Sequence, residues 1–259
     1  MQRIWEDRLC AEPAHLVDGA LIFTESFERK TDGGRLGRIA SFIVERVYLG
    51  HNRTRAVRTA LGRLSDELVR SGGLGLNFGS GESERRPNIV NLDIYLTRNV
   101  DVVYDGKVLP FQDEVFDFVM SQEVFEHIQD CHAALREVSR VMKKGAKIYL
   151  QLPFTIGYHS VPHDYWRFSV VGIEQFAESQ GTLEVLEKGL AVGHGTGFYR
   201  VLVEFLATTA SVFGSIFYKP AKLAFAIIFY WVKLFDLLTP YASQPDRIAG
   251  GYYVIAQRI

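Results

Sequence analysis

The pattern of hydrophobic positions divides the chain into a helical N-terminal part and a longer part in which strands and helices alternate. Apolar residues recur at helical spacing over 36–48 and again over 55–69, where Ser71, Gly72 and Gly73 end the pattern. After this point, short apolar runs of strand length cover 74–78, 89–94, 100–104, 115–120 and 147–152. Strands that alternate with helices predict an α/β fold, with a mostly parallel sheet covered by helices on both faces.

The clearest helix of this second part is predicted over 131–143. Asp130 precedes it as an N-cap, and Leu135 and Val138 lie on one face. Lys143, Lys144 and Gly145 close it. A sixth strand is predicted over 183–190 and a last strand over 251–258. We therefore expect an N-terminal extension with helices over 1–70 and a main domain over 71–259.

The segment over about 199–241 is strongly apolar and interrupts the last two predicted strands as an insertion. Its longest uncharged stretch, 205–218, has 14 residues, and lysines interrupt the remainder. Because a membrane-spanning helix needs about 20 apolar residues, we expect no span. Three interpretations remain: a helical hairpin, broken at Lys219 and Pro220, that packs on its own domain and could roof the acceptor pocket; a homodimer interface; or a helix pair resting on a membrane surface.

Composition narrows the classes of function. The formal net charge is −1 with acids and bases mixed, so we expect no nucleic acid partner. Two cysteines, Cys10 and Cys131, cannot build a disulfide framework or a four-ligand zinc site. The first ten residues carry charges where an export signal would be apolar. We expect a cytoplasmic protein, peripheral to the inner face of a membrane if the insertion contacts lipid.

A glycine-containing turn follows the first predicted strand in the stretch LNFGSGES, 76–83. In a parallel α/β sheet, ligands bind beyond the carboxyl ends of the strands, and Gly79 and Gly81 would let the backbone approach a ligand closely. Asp93 ends the second predicted strand, where a carboxylate can accept hydrogen bonds from ribose hydroxyls. A plain strand-to-helix turn and a helix-capping acid are the alternatives.

Several motifs occur in a characteristic order. The Gly-Ser-Gly turn is followed by Asp93, a D-x-x-x-L-P-F segment over 105–111, F-D-x-V over 116–119 and E-V-x-E-H over 123–127. This series resembles the class I S-adenosylmethionine-dependent methyltransferases of the small-molecule branch, over roughly 74–180. The resemblance implies a Rossmann-like fold with a mostly parallel seven-stranded sheet, and S-adenosyl-L-methionine as cofactor.

By this resemblance, the two glycines of the turn would lie under the methionine part of the cofactor, Asp93 would hold the ribose, and Asp105 would face the adenine. The full set of implied cofactor-binding residues is Asn77, Gly79, Ser80, Gly81, Asp93, Ile94, Asp105, Gly106 and Glu123. The family normally has an acid at position 77 and a third glycine at position 83, which puts cofactor affinity in doubt. A non-catalytic binding or scaffold protein of the same fold, and a nicotinamide-dependent reductase, are therefore the competing functions.

The residues that could bind or activate a methyl acceptor lie in two places. His127 follows the fourth predicted strand, and the stretch YHSVPHDYWRF, 158–168, follows the fifth. Candidate catalytic residues are His127, His159, His163 and Asp164, because a carboxylate beside an imidazole supplies a base near neutral pH. Candidate substrate-binding residues are Tyr158, Tyr165, Trp166 and Arg167.

Structural roles are the alternatives for the same residues. Trp166 and Phe168 would be core, Arg167 would pair with Asp164 to shape the loop, and His127 would cap a helix or bond Glu126 or Glu123. Relatives with a similar P-H-D-Y-x-R-F segment point to a hydroxyl acceptor, or less favourably an amine, on a small molecule, saccharide or lipid-linked sugar. The stretch 9–30 faintly resembles a zinc-ribbon prefix, but only Cys10 remains, so we expect no metal.

Overall fold

The computed structural model describes residues 5–29, 54–159 and 163–259. The helix predicted over 36–48 lies outside the described residues. Within them, one large sheet carries helices on both faces, as the alternating pattern predicts.

The sheet has nine strands in the order β1-β2-β7-β5-β4-β8-β9-β11-β10. Their bounds are β1 His15–Val17, β2 Ala20–Ile22, β4 Gly75–Phe78, β5 Ile89–Asp93, β7 Val102–Val103, β8 Phe116–Gln122, β9 Met142–Pro153, β10 Leu183–Val192 and β11 Gly251–Arg258. Two short strands, β3 Glu28–Arg29 and β6 Tyr95–Leu96, pair separately. The pairs from β2 to β9 are parallel, whereas β11 runs antiparallel to β9 and β10.

The predicted seven-stranded sheet corresponds to the spatial series β7-β5-β4-β8-β9-β11-β10, and among the described residues the strand number is corrected to nine. The two extra strands form an N-terminal hairpin whose β2 pairs in parallel with β7. Asp18 and Gly19 connect them with φ values of 50° and 79°, the left-handed pair of a two-residue hairpin turn. This Asp-Gly dipeptide was the available signal, but three-residue strands are too short to show an alternating pattern.

Two helices cover one face of the sheet and a third covers the other. Helix α1 (Arg55–Ser71) packs on Phe118, Tyr149 and Tyr253. Helices α2 (Cys131–Val141) and α3 (Val170–Glu178) pack on the opposite face of the sheet. The side chains of this face alternate along each strand with those of the first face and include residues of β4, β5 and β9. The alternation along each strand therefore supplies two apolar faces, as expected for a sheet buried on both sides.

The predicted N-cap of α2 is confirmed, because the Asp130 carboxylate accepts a hydrogen bond from the Ala133 N–H at 2.9 Å. The predicted end at residue 143 is wrong. The helix stops at Val141, whose carbonyl accepts the Val115 N–H at 2.8 Å, so the chain enters the ladder of β9 directly. Pairing of this segment with β8 therefore overrides the sequence pattern that placed the helix end at Lys143 and Lys144.

The insertion between β10 and β11 is helical. It consists of α4 (His194–Ala210), α5 (Tyr218–Ile228) and a 3-10 segment, Tyr230–Tyr241. A small core of Tyr199, Val203, Ala226 and Val232 joins the three. The break expected at Lys219 and Pro220 lies earlier, over 211–217, because a proline fits in the first turn of α5 without losing a hydrogen bond.

The outer surface of the insertion is apolar. Its exposed large hydrophobic side chains include Val212, Phe213, Ile216 and Trp231, of which Phe213 is 83% exposed. Across 198–241, Lys219 is the one charged residue in the exposed class. In the part of the chain that the structure describes, no helix combines the length and apolar character needed to cross a membrane.

Candidate functional site

A cavity of about 830 Å³ opens at the carboxyl ends of β4, β5, β7 and β8. Its wall includes many of the predicted residues, namely Gly79, Gly81, Asp93, Ile94, Asp105, Gly106, Glu123, His127 and Tyr165. Ligand pockets in proteins usually measure about 300 to 1,000 Å³, so the volume suits a molecule of nucleoside size or larger. The cavity therefore lies where a parallel α/β sheet places its ligand.

The glycine turn forms the floor of the cavity. At its first glycine, the backbone leaves no room for a side chain. Gly79 has φ +73°, and a Cβ there would lie 2.8 Å from Cγ1 of Val124 and closer still to Cγ2. Gly81 has φ +55° with open space where a Cβ would point. The first glycine is therefore required by contact with Val124, whereas the second leaves room beside the cavity.

Asp93 links this floor to the second strand. Its Oδ2 accepts the Gly81 N–H at 2.7 Å, and its Oδ1 accepts the Tyr95 N–H at 3.0 Å. Each carboxylate oxygen can accept more than one hydrogen bond, so both retain capacity for a ligand hydroxyl. The carboxylate is thus held by backbone groups and also borders the cavity.

Asp105 borders the same cavity from the loop after β7. Its Oδ1 accepts the Lys107 N–H at 2.9 Å, and Gly106 adopts φ +80° beside it. Tyr104 lies just below, 5% exposed, and burial together with Asp93 and Asp105 raises the pKa of its phenol well above the ordinary value. The two acids that the sequence proposed for ribose and adenine therefore face one cavity.

Glu123 ends β8 in a strained conformation. It has φ 56°, unusual for a residue with a side chain, and its N–H donates to the Gln151 carbonyl at 2.9 Å. Its carboxylate accepts from the Gln151 amide at 3.3 Å. Strain of this kind often accompanies functional sites, and here it turns the chain so that Glu123 and Val124 both border the cavity.

Asn77 and Ser80 lie outside the cavity wall. Both are 5% exposed, and the Asn77 amide donates to Oδ1 of Asn91 at 3.1 Å. The Asn91 Nδ2 in turn donates to the carbonyls of Ser83 and Asn99, at 3.2 and 3.0 Å. Since Asn91 presents an oxygen towards position 77, that position requires a donor. This contact explains why an amide replaces the acid that the resemblance predicts.

The loop after β9 is organised by Arg167 and Asp164. The guanidinium donates from Nη1 and Nη2 to the two carboxylate oxygens, at 2.5 and 2.6 Å, and also to the Gly157 carbonyl at 3.0 Å. Although burial acts to raise it, these hydrogen bonds hold the pKa of Asp164 below its usual value. Arg167 therefore shapes the loop, and its donors are committed before any substrate arrives.

His159 lies beside this pair. Its ring Nδ1 is 3.3 Å from Oδ2 of Asp164, and its backbone N–H donates to the same oxygen at 2.8 Å. Burial lowers the pKa of His159, while Asp164 opposes that change. His163 is exposed and contributes its carbonyl, which accepts a hydrogen bond from Nδ1 of His127. The structure thus places Asp164 against His159, one of the two partners considered for it.

The aromatic candidates of the loop differ in position. Tyr165 borders the cavity, and its N–H donates to the Glu126 carbonyl at 2.8 Å. Trp166 is 43% exposed and donates its indole N–H to the Ile128 carbonyl, so it is not core. Phe168 packs against the main core, and Tyr158 is 73% exposed, away from the cavity wall.

Sequence reasoning missed one side of the cavity. Thr24, Ser26, Phe27 and Glu28 form this side, held in place by pairing of β3 with β6. A two-residue strand leaves no periodic pattern in a sequence, so neither spacing nor composition marked this segment. The N-terminal extension therefore contributes directly to the candidate site.

The comparisons with known proteins agree with this architecture. Residues 85–150 match the model of a family described as a methyltransferase domain. The chain is 34% identical over 80 residues to sarcosine/dimethylglycine N-methyltransferase of Halorhodospira halochloris, covering 31% of this chain and 28% of the relative. It is 46% identical over 46 residues to demethylmenaquinone methyltransferase of Streptomyces griseus, covering 18% and 20%. The chain thus matches less than a third of the length of either relative.

A solved structure of phosphoethanolamine N-methyltransferase 2 from Haemonchus contortus is similar at 14% identity and a TM-score of 0.46, covering 86% of this chain and 58% of that one. The family match over 85–150 agrees with the predicted resemblance, and the observed sheet order confirms the predicted α/β fold with a mostly parallel sheet.

Proposed function

We propose that this protein, which belongs to the class I S-adenosylmethionine-dependent methyltransferases, binds that cofactor and methylates a hydroxyl group of a small molecule, saccharide or lipid-linked sugar. The observation that carries the proposal is the shared cavity of the glycine turn, Asp93 and Asp105. An amine is the less favoured acceptor. A non-catalytic protein that binds S-adenosylmethionine or S-adenosylhomocysteine is the competing function.

The residues of the cavity fit the cofactor chemically. Asp93 offers acceptor capacity for two adjacent hydroxyls, Gly81 leaves open space where a side chain would intrude, and Phe78 and Ile94 supply apolar contact. When bound, S-adenosylmethionine supplies an electrophilic methyl group. The contribution of the chain is to hold and orient the reacting groups and to exclude water.

A hydroxyl acceptor also needs a base. His127 borders the cavity, and its Nδ1 donates to the His163 carbonyl, which leaves Nε2 as the acceptor nitrogen. His159 is oriented by Asp164, and burial favours its neutral form by lowering its pKa. These contacts support the histidines as candidate bases, with His127 in the more direct position.

Calorimetry on the full chain tests the proposal. We expect heat of binding with S-adenosylhomocysteine, and methyl transfer to acceptors that carry a free hydroxyl. No heat with either cofactor form at high concentration would remove the enzyme assignment. Binding without turnover across hydroxyl and amine acceptors would instead favour the non-catalytic function.

Two variants examine the candidate bases. His127→Ala and His159→Ala should reduce turnover, the former by about 10² to 10⁴ if it is the base, and leave affinity for S-adenosylhomocysteine unchanged. His132→Ala, an exposed histidine that hydrogen-bonds Ser179, is the matched control. A parallel loss of affinity and turnover would indicate that the loop is structural.

The insertion supports contact with a membrane surface as a further part of the proposal. Exposed apolar side chains come from both helices, from the 211–217 turn and from several sides of the 3-10 segment, and Tyr230, Trp231 and Tyr241 add amphipathic rings. A dimer interface would use one face with a polar rim, whereas the exposed polar side chains of this segment, Thr208, Thr209, Ser215 and Lys219 among them, are few.

Vesicle flotation with neutral phosphatidylcholine tests this contact. We expect the full chain to float with vesicles and to release when Phe213 and Ile216 are both changed to Ser. The matched control is a Thr208→Ala and Thr209→Ala double variant in the last turn of α4, next to the 211–217 turn. Sedimentation as a stable dimer with no flotation would assign the surface to a second copy of the chain.

A further inference from the structure

A buried glutamate without a hydrogen-bond partner lies next to the candidate site. Glu126 belongs to a single 3-10 turn, Phe125–His127, that follows β8, and its side chain is 0% exposed. Within the described ranges, neither carboxylate oxygen of Glu126 has a hydrogen-bond partner. Buried polar groups are almost always satisfied, so an unpartnered buried carboxyl indicates a missing cation or proton.

Two histidines direct nitrogens at this carboxyl group. Nε2 of His127 lies 3.7 Å from Oε1 of Glu126, and Nε2 of His159 lies 3.8 Å from the same oxygen. The two rings meet edge to face with centroids 5.0 Å apart. One ligand atom from each of the three residues therefore lies within 4.8 Å of the other two.

Hydrogen bonds on the far side of each ring set the tautomers. Nδ1 of His127 contacts the His163 carbonyl, which can only accept, so this nitrogen carries the hydrogen. Nδ1 of His159 lies 3.3 Å from both the Gly157 carbonyl and the Asp164 carboxylate, two acceptors, and 3.4 Å from one donor, Nη2 of Arg167; the two shorter contacts favour the hydrogen on Nδ1. Both Nε2 atoms consequently present lone pairs towards Glu126, as in metal-binding histidines that are held by a carboxylate or a carbonyl.

Three electron-pair donors thus converge on one volume, where the backbone N–H of Glu126 itself and the charge of Arg167 only partly offset the burial of the carboxyl group. Burial raises the pKa of Glu126 well above its usual value, and the charge of Glu123 adds to the effect, so a proton is one way to relieve the site. A proton can bridge only two of the three atoms. A metal ion bonds all three. At bond lengths of about 2.0 to 2.2 Å its ligand atoms lie about 3 to 3.5 Å apart, so the 3.7 and 3.8 Å distances to Glu126 close by a few tenths of an ångström, and the two histidine nitrogens, within 4.8 Å of each other, close by up to about 1.8 Å.

We propose that Glu126, His127 and His159 bind a divalent transition-metal ion at the wall of the cavity. Two imidazoles and one carboxylate suit Zn²⁺, and also Fe²⁺ or Mn²⁺, and three protein ligands leave a position for water or substrate. Asp164 and the His163 carbonyl are the supporting groups that orient the rings. The sequence-based expectation of no metal considered cysteine spacing, and position 126 was never weighed as a ligand.

The site connects to the cavity through His127, which borders it. With an ion in place, His127 is a ligand and no longer a free base, and the ion lowers the pKa of a bound acceptor hydroxyl. This consequence for catalysis rests on the proposed function, whereas binding of the ion does not.

Metal titration of the chelator-treated full chain tests the inference in the absence of cofactor. We use a Cys10→Ser background, because Cys10 is exposed and an exposed thiolate is itself a potential Zn²⁺ ligand. We expect one Zn²⁺ per chain by calorimetry. With Co²⁺ we expect visible d–d absorption without a thiolate charge-transfer band, since the ligands are nitrogen and oxygen.

Variants locate the ion. Glu126→Gln keeps the shape of the side chain and should weaken Zn²⁺ binding at least tenfold, as should His159→Gln, while Asp164→Asn should cost about 10- to 100-fold through ring orientation. His132→Ala is the control and should bind as the parent does. Equal Zn²⁺ affinity in the parent and the Glu126 and His159 variants, or no binding at all, would overturn the inference.

Calorimetry with S-adenosylhomocysteine on the same samples separates the two proposals. A chain that binds S-adenosylhomocysteine but no Zn²⁺ overturns the metal site alone. A chain that binds Zn²⁺ at Glu126 but no cofactor overturns the proposed function alone. Thermal unfolding of each variant confirms that a loss of binding does not reflect a loss of fold.

Discussion

The cofactor side and the acceptor side of the candidate site are built in different ways. On the cofactor side, Gly79, Asp93 and Asp105 stand at the ends of neighbouring parallel strands, and backbone N–H groups hold the carboxylates. On the acceptor side, a long loop after β9 is held by the ion pair of Arg167 and Asp164, and the insertion lies beyond it.

The two sides of the site therefore obtain their geometry from different parts of the structure. The cofactor side takes its geometry from the sheet, so single side chains there tune affinity more than they support the fold. The acceptor side takes its geometry from a few side-chain contacts, and losing one of them should release the whole loop. The following variants measure this contrast, beginning with the largest expected effect.

Arg167→Ala should have the largest effect, about 3 kcal/mol, because it leaves the buried Asp164 carboxylate with only the backbone N–H and the imidazole of His159 as described partners. We expect faster hydrogen exchange over 154–168 and a lower melting temperature. Arg136→Ala, an exposed arginine with one long contact to Gln180, is the control. Unchanged exchange in the loop would mean that the ion pair does not hold it.

The pH dependence of the loop follows from the same pair. The pKa of Asp164 is lower in the folded protein than its ordinary value of about 3.9, so its contribution is complete above that value. It is lost as the pH falls through the folded pKa. Exchange over 154–168 should therefore rise below about pH 4 in the parent and stay flat in Arg167→Ala.

Gly79→Ala should destabilise the protein by about 2 to 4 kcal/mol, since it combines a contact with Val124 and a positive φ. Gly81→Ala meets open space and should cost only about 1 to 2 kcal/mol. Denaturant unfolding measures both. Partial recovery in a Gly79→Ala and Val124→Ala double variant would identify the contact as the cause, and equal costs for the two glycines would refute it.

Asp93→Ala should weaken binding of S-adenosylhomocysteine by about 1 to 3 kcal/mol, because hydrogen-bonding partners of both ligand and loop lose their acceptor. Asp93→Asn should lose less, since its amide oxygen can still accept the Gly81 N–H. Asp113→Ala, an exposed acid on Arg140, is the control for calorimetry. Unchanged affinity would show that this carboxylate does not contact the cofactor.

Asn77→Asp should cost about 1 to 3 kcal/mol at pH 7, because it replaces the donor that faces Oδ1 of Asn91 with an acceptor. Burial raises the pKa of such a carboxyl in the folded state, so the penalty should be full above that raised pKa, shrink as the pH falls through it, and be smallest below about pH 4. Asn99→Asp, at a half-buried position whose amide contact with the Glu82 carbonyl is exposed, should show no such trend. A pH-independent loss would mean that the Asn77 contact is not the cause.

The two sides also differ in how far the sequence predicted them. The glycine turn, Asp93 and Asp105 converge on one cavity as the motif order predicts, because the ends of parallel strands meet at one edge of the sheet. In the loop, residue types alone left two roles open for Arg167, and only its bidentate contact with Asp164 shows that its donors are committed. The binding and catalytic roles of these residues stay predictions.

The sequence by itself determined the alternation of strands and helices, the order of the motifs and the apolar character of the insertion, since these depend on local periodicity. Tertiary structure alone decided the addition of the N-terminal hairpin to the sheet, the wall formed by Thr24 to Glu28, and the meeting of Glu126 with His127 and His159. The physical reason is the range of the contacts. Short strands and buried clusters gain their stability from partners far along the chain, and such partners leave no periodic trace beside them.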